Sequence, residues 1–209
     1  MDIGETLWKD KKIAMRSIER GFSGNDLEKI KSALKWTEQV INSEEFRRAV
    51  IDHTWQGKRQ FSSTSMSTQD VLTSLIIGRE ILSKIDDYEW DLDLELYYSR
   101  LSRVIGYTYP NVTTVYMNSK YFAYFSVPQV VNNIVHEHCH KLGFDHDFNY
   151  TDRRPYSVPY AVGDIAQRVC EKMKGEDSLI PAPPADDLTP PSYYVPWYKR
   201  AVRWVRNIF

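Results

Sequence analysis

The run His136-Glu137-His138-Cys139-His140-Lys141-Leu142-Gly143-Phe144-Asp145-His146 constrains the fold of this chain more than any other stretch, because it holds four of the five histidines. It lies at the end of a helical segment, 128 to 142, that opens after Ser126-Val127-Pro128 and carries Val131, Ile134, Val135 and Leu142. At roughly 100° per residue, His136 and His140 stand about 40° apart on that helix and one turn along it. Gly143 then ends the helix as a left-handed C-terminal cap. A continuing helix would carry the chain away, whereas a residue with positive φ lets it turn sharply and bring His146 back beneath the other two.

This geometry has a chemical reading. Two imidazoles one turn apart can reach one metal ion, and His146 supplies a third ligand. Three protein ligands leave a fourth position for water or substrate, as catalytic zinc sites do and closed structural sites do not. A set of three histidines also favours zinc over calcium or magnesium, so the expected cofactor is one catalytic Zn2+. Glu137 lies on the adjoining face, where it can act as a base toward a water at the metal without occupying a ligand position. Five fixed identities at ordinary residue frequencies arise by accident on the order of once in 10⁵ chains of this length, which argues against a chance histidine-rich helix.

Neighbouring residues carry other expectations. His138 points away from His136 and His140 and reads as a surface or supporting residue. Cys139 reads as a small buried thiol. Asp164 and Glu171 are alternative third ligands, disfavoured by His146 at the right spacing after a glycine.

A formal net charge of -1 gives no basic excess, so nucleic acid is not expected as a partner. The two cysteines, Cys139 and Cys170, form no C-x-x-C pair, which excludes a disulfide framework and a thiolate zinc cluster. The first twenty residues mix Lys and Asp with no apolar run, and nowhere do 18 apolar residues follow one another. A soluble, cytoplasmic protein is the expectation, with export by a non-cleaved signal left open.

Helical signals dominate the first half, about 1 to 85. Asn25 with Glu28 suggests a capping pair before the stripe Leu27, Ile30, Leu34, Thr37 and Ile41. Ser43 opens a second helix, residues 57 to 67 read as a loop, and Ser67 with Asp70 opens a third through Ile81. The period changes at Tyr88 to Tyr98, where Trp90, Leu92 and Leu94 alternate with Asp91, Asp93 and Glu95 as in a half-buried strand. Two further strands are expected at Val104 to Tyr109 and Thr113 to Asn118, and another helix at about 162 to 174. The expected class is therefore α+β, with a catalytic domain over 1 to 177. Residues 178 to 196 hold six prolines and read as a connector. Residues 197 to 209 read as a basic amphipathic helix that either docks on its own domain or contacts a membrane surface or a partner protein.

The run also matches H-E-x-x-H-x-x-G-x-x-H and so resembles the zinc signature of the metzincin clan of metallopeptidases. The resemblance covers residues 128 to 147. It implies a mixed sheet with an antiparallel edge strand that binds extended substrate, an active-site helix beneath it and a small C-terminal subdomain. Thr113 to Asn118 is the candidate for that edge strand. Asp147 resembles the supporting aspartate of the adamalysin branch. The clan places a methionine turn under the metal, but no methionine lies between Met117 and Met173. Ser157-Val158-Pro159-Tyr160 resembles a shortened form of the astacin and serralysin turn, with Pro159 as the floor. Tyr160 then resembles the tyrosine that binds the metal or steadies the oxyanion; an ordinary core tyrosine is the other reading. The activity implied is hydrolysis of a peptide or protein substrate by a zinc-activated water with Glu137 as base. A non-catalytic zinc-binding protein that works through its C-terminal helix, and a zinc hydrolase of a non-peptide amide, are the alternatives.

Overall fold

Strand β2, Glu89–Tyr97, organises the molecule. Its alternation sends Trp90, Leu92 and Leu94 into the core with at most 1% of each exposed, while Asp91, Asp93 and Glu95 take the opposite face. A computed structural model of the chain describes residues 11–102, 104–109 and 111–175. The connector at 178–196 and the basic helix at 197–209 expected from the sequence lie outside the described residues. Among the described residues four strands form one mixed sheet in the order β1-β2-β4-β3, where β1 is Ala14–Arg20, β3 is Gly106–Tyr107 and β4 is Thr114–Asn118. Strands β1 and β4 flank β2 in parallel, and β3 adds to β4 antiparallel. The α+β expectation holds.

Among the described residues six α-helices accompany the sheet: α1 (Gly24–Ile41), α2 (Glu44–Ile51), α3 (Thr68–Ile77), α4 (Ser119–Phe122), α5 (Val127–Lys141) and α6 (Val158–Met173). The Ser43 and Ser67 starts are as expected, each serine oxygen accepting a backbone N–H, from Phe46 at 3.1 Å and from Asp70 at 3.1 Å. Helix α1 begins at Gly24 with Ser23 as its N-cap, so Asn25, expected as the cap, lies inside the first turn, and the helix buries Ile30, Leu34, Thr37 and Ile41 as its stripe predicts. Helix α3 stops at Ile77 and does not reach Ile81. Gly78 has φ 73, and a Cβ there would stand 2.4 Å from the Glu89 carbonyl oxygen, so the chain turns at this point into the segment leading to β2.

One strand was not expected, and two further expectations need correction. The N-terminal half is helix-rich as expected but also contributes β1, which pairs along β2 from Ala14↔Glu89 to Arg20↔Glu95. Both faces of this edge strand stay half-buried or exposed, so it lacks the alternation that betrays a strand in sequence. The segment Thr113 to Asn118 is not an edge, since β4 lies between β2 and the two-residue β3, which is the antiparallel edge. Finally, Ser157-Val158-Pro159-Tyr160 forms no separate turn. Ser157 precedes the first residue of α6, and proline fits the first turn of a helix because its missing N–H has no partner there in any case.

Helix α5 is buried on nearly every side. It lies between the core face of the sheet and helices α1 and α6, all within one apolar cluster. Among the described residues no helix is long and apolar enough to cross a membrane.

Candidate metal centre

The end of α5 determines where the ligands point. The Gly143 N–H donates to the His140 carbonyl at 3.0 Å and the Phe144 N–H to the Cys139 carbonyl at 3.0 Å, while Gly143 has φ 93. This pair of bonds is a Schellman cap, and Phe144 and Cys139 at its two ends are both buried in the core cluster. The chain reverses there and returns His146 to the helix.

His136, His140 and His146 converge, with one ligand nitrogen from each lying within 4.8 Å of the others. Ring centroids are separated by 5.2 Å for His136 and His140, 5.2 Å for His136 and His146, and 4.9 Å for His140 and His146. Two of the rings are oriented by backbone acceptors: His140 Nδ1 lies 2.8 Å from the Phe144 carbonyl and His146 Nδ1 lies 3.1 Å from the Asp147 carbonyl. A proton on each Nδ1 leaves each Nε2 lone pair for a metal, the usual division of labour in metal-binding histidines. His136 Nδ1 is shielded from water with no hydrogen-bond partner of good geometry, and the Pro159 carbonyl acts on that ring.

All three imidazoles are held neutral. His136 titrates well below its ordinary value through burial, then through its proximity to His140, His146 and Arg154. Burial also lowers His140, and His146 falls to about 4, mainly by burial and then by His140. Neutral imidazole is the ligating form. One nitrogen from each ring, all within 4.8 Å of one another, could hold a metal ion, and imidazole donors suit a transition metal. The donor set therefore fits a divalent transition metal.

Glu137 is 4% exposed. Burial pushes its carboxyl up to about 8, against the pull of the Thr108 backbone N–H and the Asn133 side-chain amide. Tyr160, in the first turn of α6, brings its ring to 4.6 Å from His136 and 4.8 Å from His146. Its phenol is raised by burial, which outweighs the charge and the hydrogen bond of Arg154 acting the other way.

Other expected residues lie elsewhere. His138 is fully buried, stacked on Trp90 at 3.8 Å, with Nδ1 3.9 Å from Glu80; it faces the sheet and is not on the surface. Cys139 is a buried free thiol, as expected. Asp164 accepts from Asn132 at 2.9 Å and Glu171 from Gln167 at 2.7 Å, and neither belongs to the histidine cluster. Asp147 accepts from Thr151 and lies 3.7 Å from Arg153.

The sequence reading missed Asn133, Arg154 and a group of tyrosines. Asn133 precedes Glu137 by four residues, and that helical spacing was an available signal. Tyr97, Tyr107 and Tyr116 form a cluster along the sheet edge, with Tyr107 stacked on Tyr116 at 4.8 Å and edge-on to Tyr97 at 5.5 Å. Burial raises the Tyr97 phenol, against a hydrogen bond with Ser102. Only strand pairing brings these rings together, so no local signal exists for them. In comparisons with known proteins no family model matches the chain, and no curated protein or solved structure matches it either.

Proposed function

We propose that the chain is a zinc-dependent endopeptidase of metzincin type. The observation that carries this reading is the convergence of three neutral imidazoles with a buried carboxyl, Glu137, that takes no part in holding the metal. His136, His140 and His146 would hold the ion. When bound, zinc supplies a Lewis acid that lowers the pKa of a neighbouring water toward about 7, polarises a carbonyl and favours ionised Glu137.

The chain's own groups do the rest. Glu137, positioned by the Thr108 N–H and the Asn133 amide, takes a proton from the attacking water and delivers it to the leaving amine nitrogen. Tyr160 donates its hydroxyl proton in a hydrogen bond to the oxygen of the carbonyl under attack, a contribution of about 3 kcal/mol for one good donor. The short antiparallel β3 and the tyrosines beside it offer the edge along which an extended peptide lies.

The test is cleavage of a mixed peptide library by zinc-loaded protein, with and without chelator. Cleavage should vanish with chelator, and Glu137→Gln should keep the metal and lose at least 10²-fold in turnover. Equal turnover by Glu137→Gln and the parent would remove the base assignment. Products from an amide library that contains no peptides would favour the non-peptide hydrolase.

A further inference from the structure

Arg154 is a cation that the peptidase reading leaves unexplained. It opens the short 3-10 turn Arg154–Tyr156 between the His146 loop and α6. Its guanidinium lies 4.9 Å from the centre of the Tyr160 ring, and that ring lies 4.6 Å from His136 and 4.8 Å from His146. The charge therefore stands within about 10 Å of two of the three metal-binding rings.

Its partners do not neutralise it. Nη1 donates to the Phe148 carbonyl at 3.0 Å, the guanidinium also hydrogen-bonds the Tyr160 hydroxyl, and Nε is buried with no hydrogen-bond partner, so each partner is an uncharged group. Among the described residues no carboxylate forms an ion pair with Arg154, although Asp145, Asp147 and exposed Asp152 stand on the adjoining loop. Asp145 lies 3.4 Å from His140, and Asp147 is taken by Arg153 and Thr151. A half-buried guanidinium beside a site built for a dication is a costly placement unless an anion comes to it.

The support beneath it is firm. The Ser62 hydroxyl donates to the Arg153 carbonyl at 2.6 Å, Arg153 donates back to the Ser62 carbonyl at 2.5 Å, and the Ser62 N–H donates to the Tyr156 carbonyl at 2.9 Å. The turn is thus strapped to the loop after α2. A guanidinium held this way is preorganised for the planar, two-oxygen geometry of a carboxylate.

We propose that Arg154 forms an anion subsite of the cleft and selects peptides that carry a carboxylate within two or three residues of the bond to be cut. The reach follows from an extended chain advancing roughly 3.3–3.6 Å per residue against the ~10 Å span. The inference rests on the reading of the histidine cleft as a peptide site. Two sources offer the same chemistry, the C-terminal carboxylate and an acidic side chain.

The experiment uses the zinc-loaded Glu137→Gln protein, which binds without turning over, and calorimetry with two matched pairs of acetylated pentapeptides. One pair differs as free C-terminal acid against amide; the other, both amidated, differs as Glu against Gln at one internal position. At least tenfold tighter binding of the acidic member of either pair is expected, and the pair that discriminates identifies the source of the anion. Adding Arg154→Gln should bring that ratio to about one, and Arg154→Lys should restore part of it. A purely structural arginine would weaken both members equally and leave the ratio unchanged. Equal binding within both pairs, no binding of any peptide at millimolar concentration, or a ratio that survives Arg154→Gln overturns the subsite. Failure of the peptidase reading is seen separately: the Glu137-intact protein then cleaves none of the peptides while the binding ratio persists.

Discussion

Gly143→Ala tests whether the turn after α5 positions the third ligand. With φ 93, Gly143 sits where an ordinary side chain costs about 1–2 kcal/mol in backbone strain. Crowding adds little, because the nearest atoms to a new Cβ are Ile81 Cδ1 at 3.4 Å and Cγ1 at 3.6 Å, ordinary contact distances. The loss is therefore the dihedral cost alone, and for a chain of this size it lowers the melting temperature by about 2–8 °C. Asn tolerates the left-handed region better, so Gly143→Asn should lose about half as much. Gly78→Ala provides the contrast, since φ 73 is joined there by a Cβ only 2.4 Å from the Glu89 carbonyl oxygen, and it should be the most damaging of the three. Thermal unfolding in chelator reads the fold, and zinc titration against a chromophoric competitor reads the site. Zinc affinity should fall severalfold in Gly143→Ala, because strain relaxed at residue 143 displaces His146. An alanine variant as stable as the parent with unchanged zinc affinity, or an asparagine variant no better than alanine, would refute the reasoning.

Removing the third ligand with His146→Ala should cost at least 10²-fold in zinc affinity, measured by the same competition; full affinity retained would break the three-histidine site. Zinc at 100 times its dissociation constant should stabilise the parent by about 2.7 kcal/mol, and this gain should disappear in the variant on thermal unfolding. Lys141 and Glu80 form a buried pair 3.8 Å apart, so Lys141→Ala should cost about 3 kcal/mol in urea unfolding, and adding Glu80→Gln should recover much of it. His53, stacked on Phe61 at 4.4 Å, is lowered to about 4, first by burial and then by the charge of Arg168. Its folded pKa lies below the unfolded value, so stability is lost as pH falls from about 6.5 to about 4, by roughly 1–2 kcal/mol after allowing for partial exposure. Metal-free urea midpoints of the parent and His53→Gln should converge or cross over that window; parallel lines would exclude the assignment.

What the sequence made legible was local. The alternation of β2, the serine caps at Ser43 and Ser67, the glycine after α5 and the spacing of the histidines are all signals carried within a few residues. What it concealed depends on pairing across the chain. Strand β1 has no apolar face because its burial is supplied by β2 on one side only. Strand β3 is two residues long, too short to show a period, so the adjacent β4 was expected at the edge it does not occupy. His138 was expected as a surface or supporting residue because it points away from the ligands, and the surface half of that reading fails. A helix buried on nearly every side leaves no solvent face for it, and Trp90 takes the place of water.

Tyr160 stands beside the histidines for a reason its motif does not contain. Read as a shortened turn, Ser157-Val158-Pro159-Tyr160 should form a loop beneath the metal, but the same residues begin α6. Proline is compatible with both, since it fixes φ near -65° and lacks an N–H, which suits a turn and a helix start alike. What brings Tyr160 to the histidines is the packing of α6 along α5 together with the 3-10 turn that Ser62 straps in place. A helix holds its first-turn side chains more firmly than a loop does, because its backbone bonds and buried face both oppose displacement. The floor of the site is therefore an element of the core, and a change that loosens α6 should reach Tyr160 and the histidine beside it together.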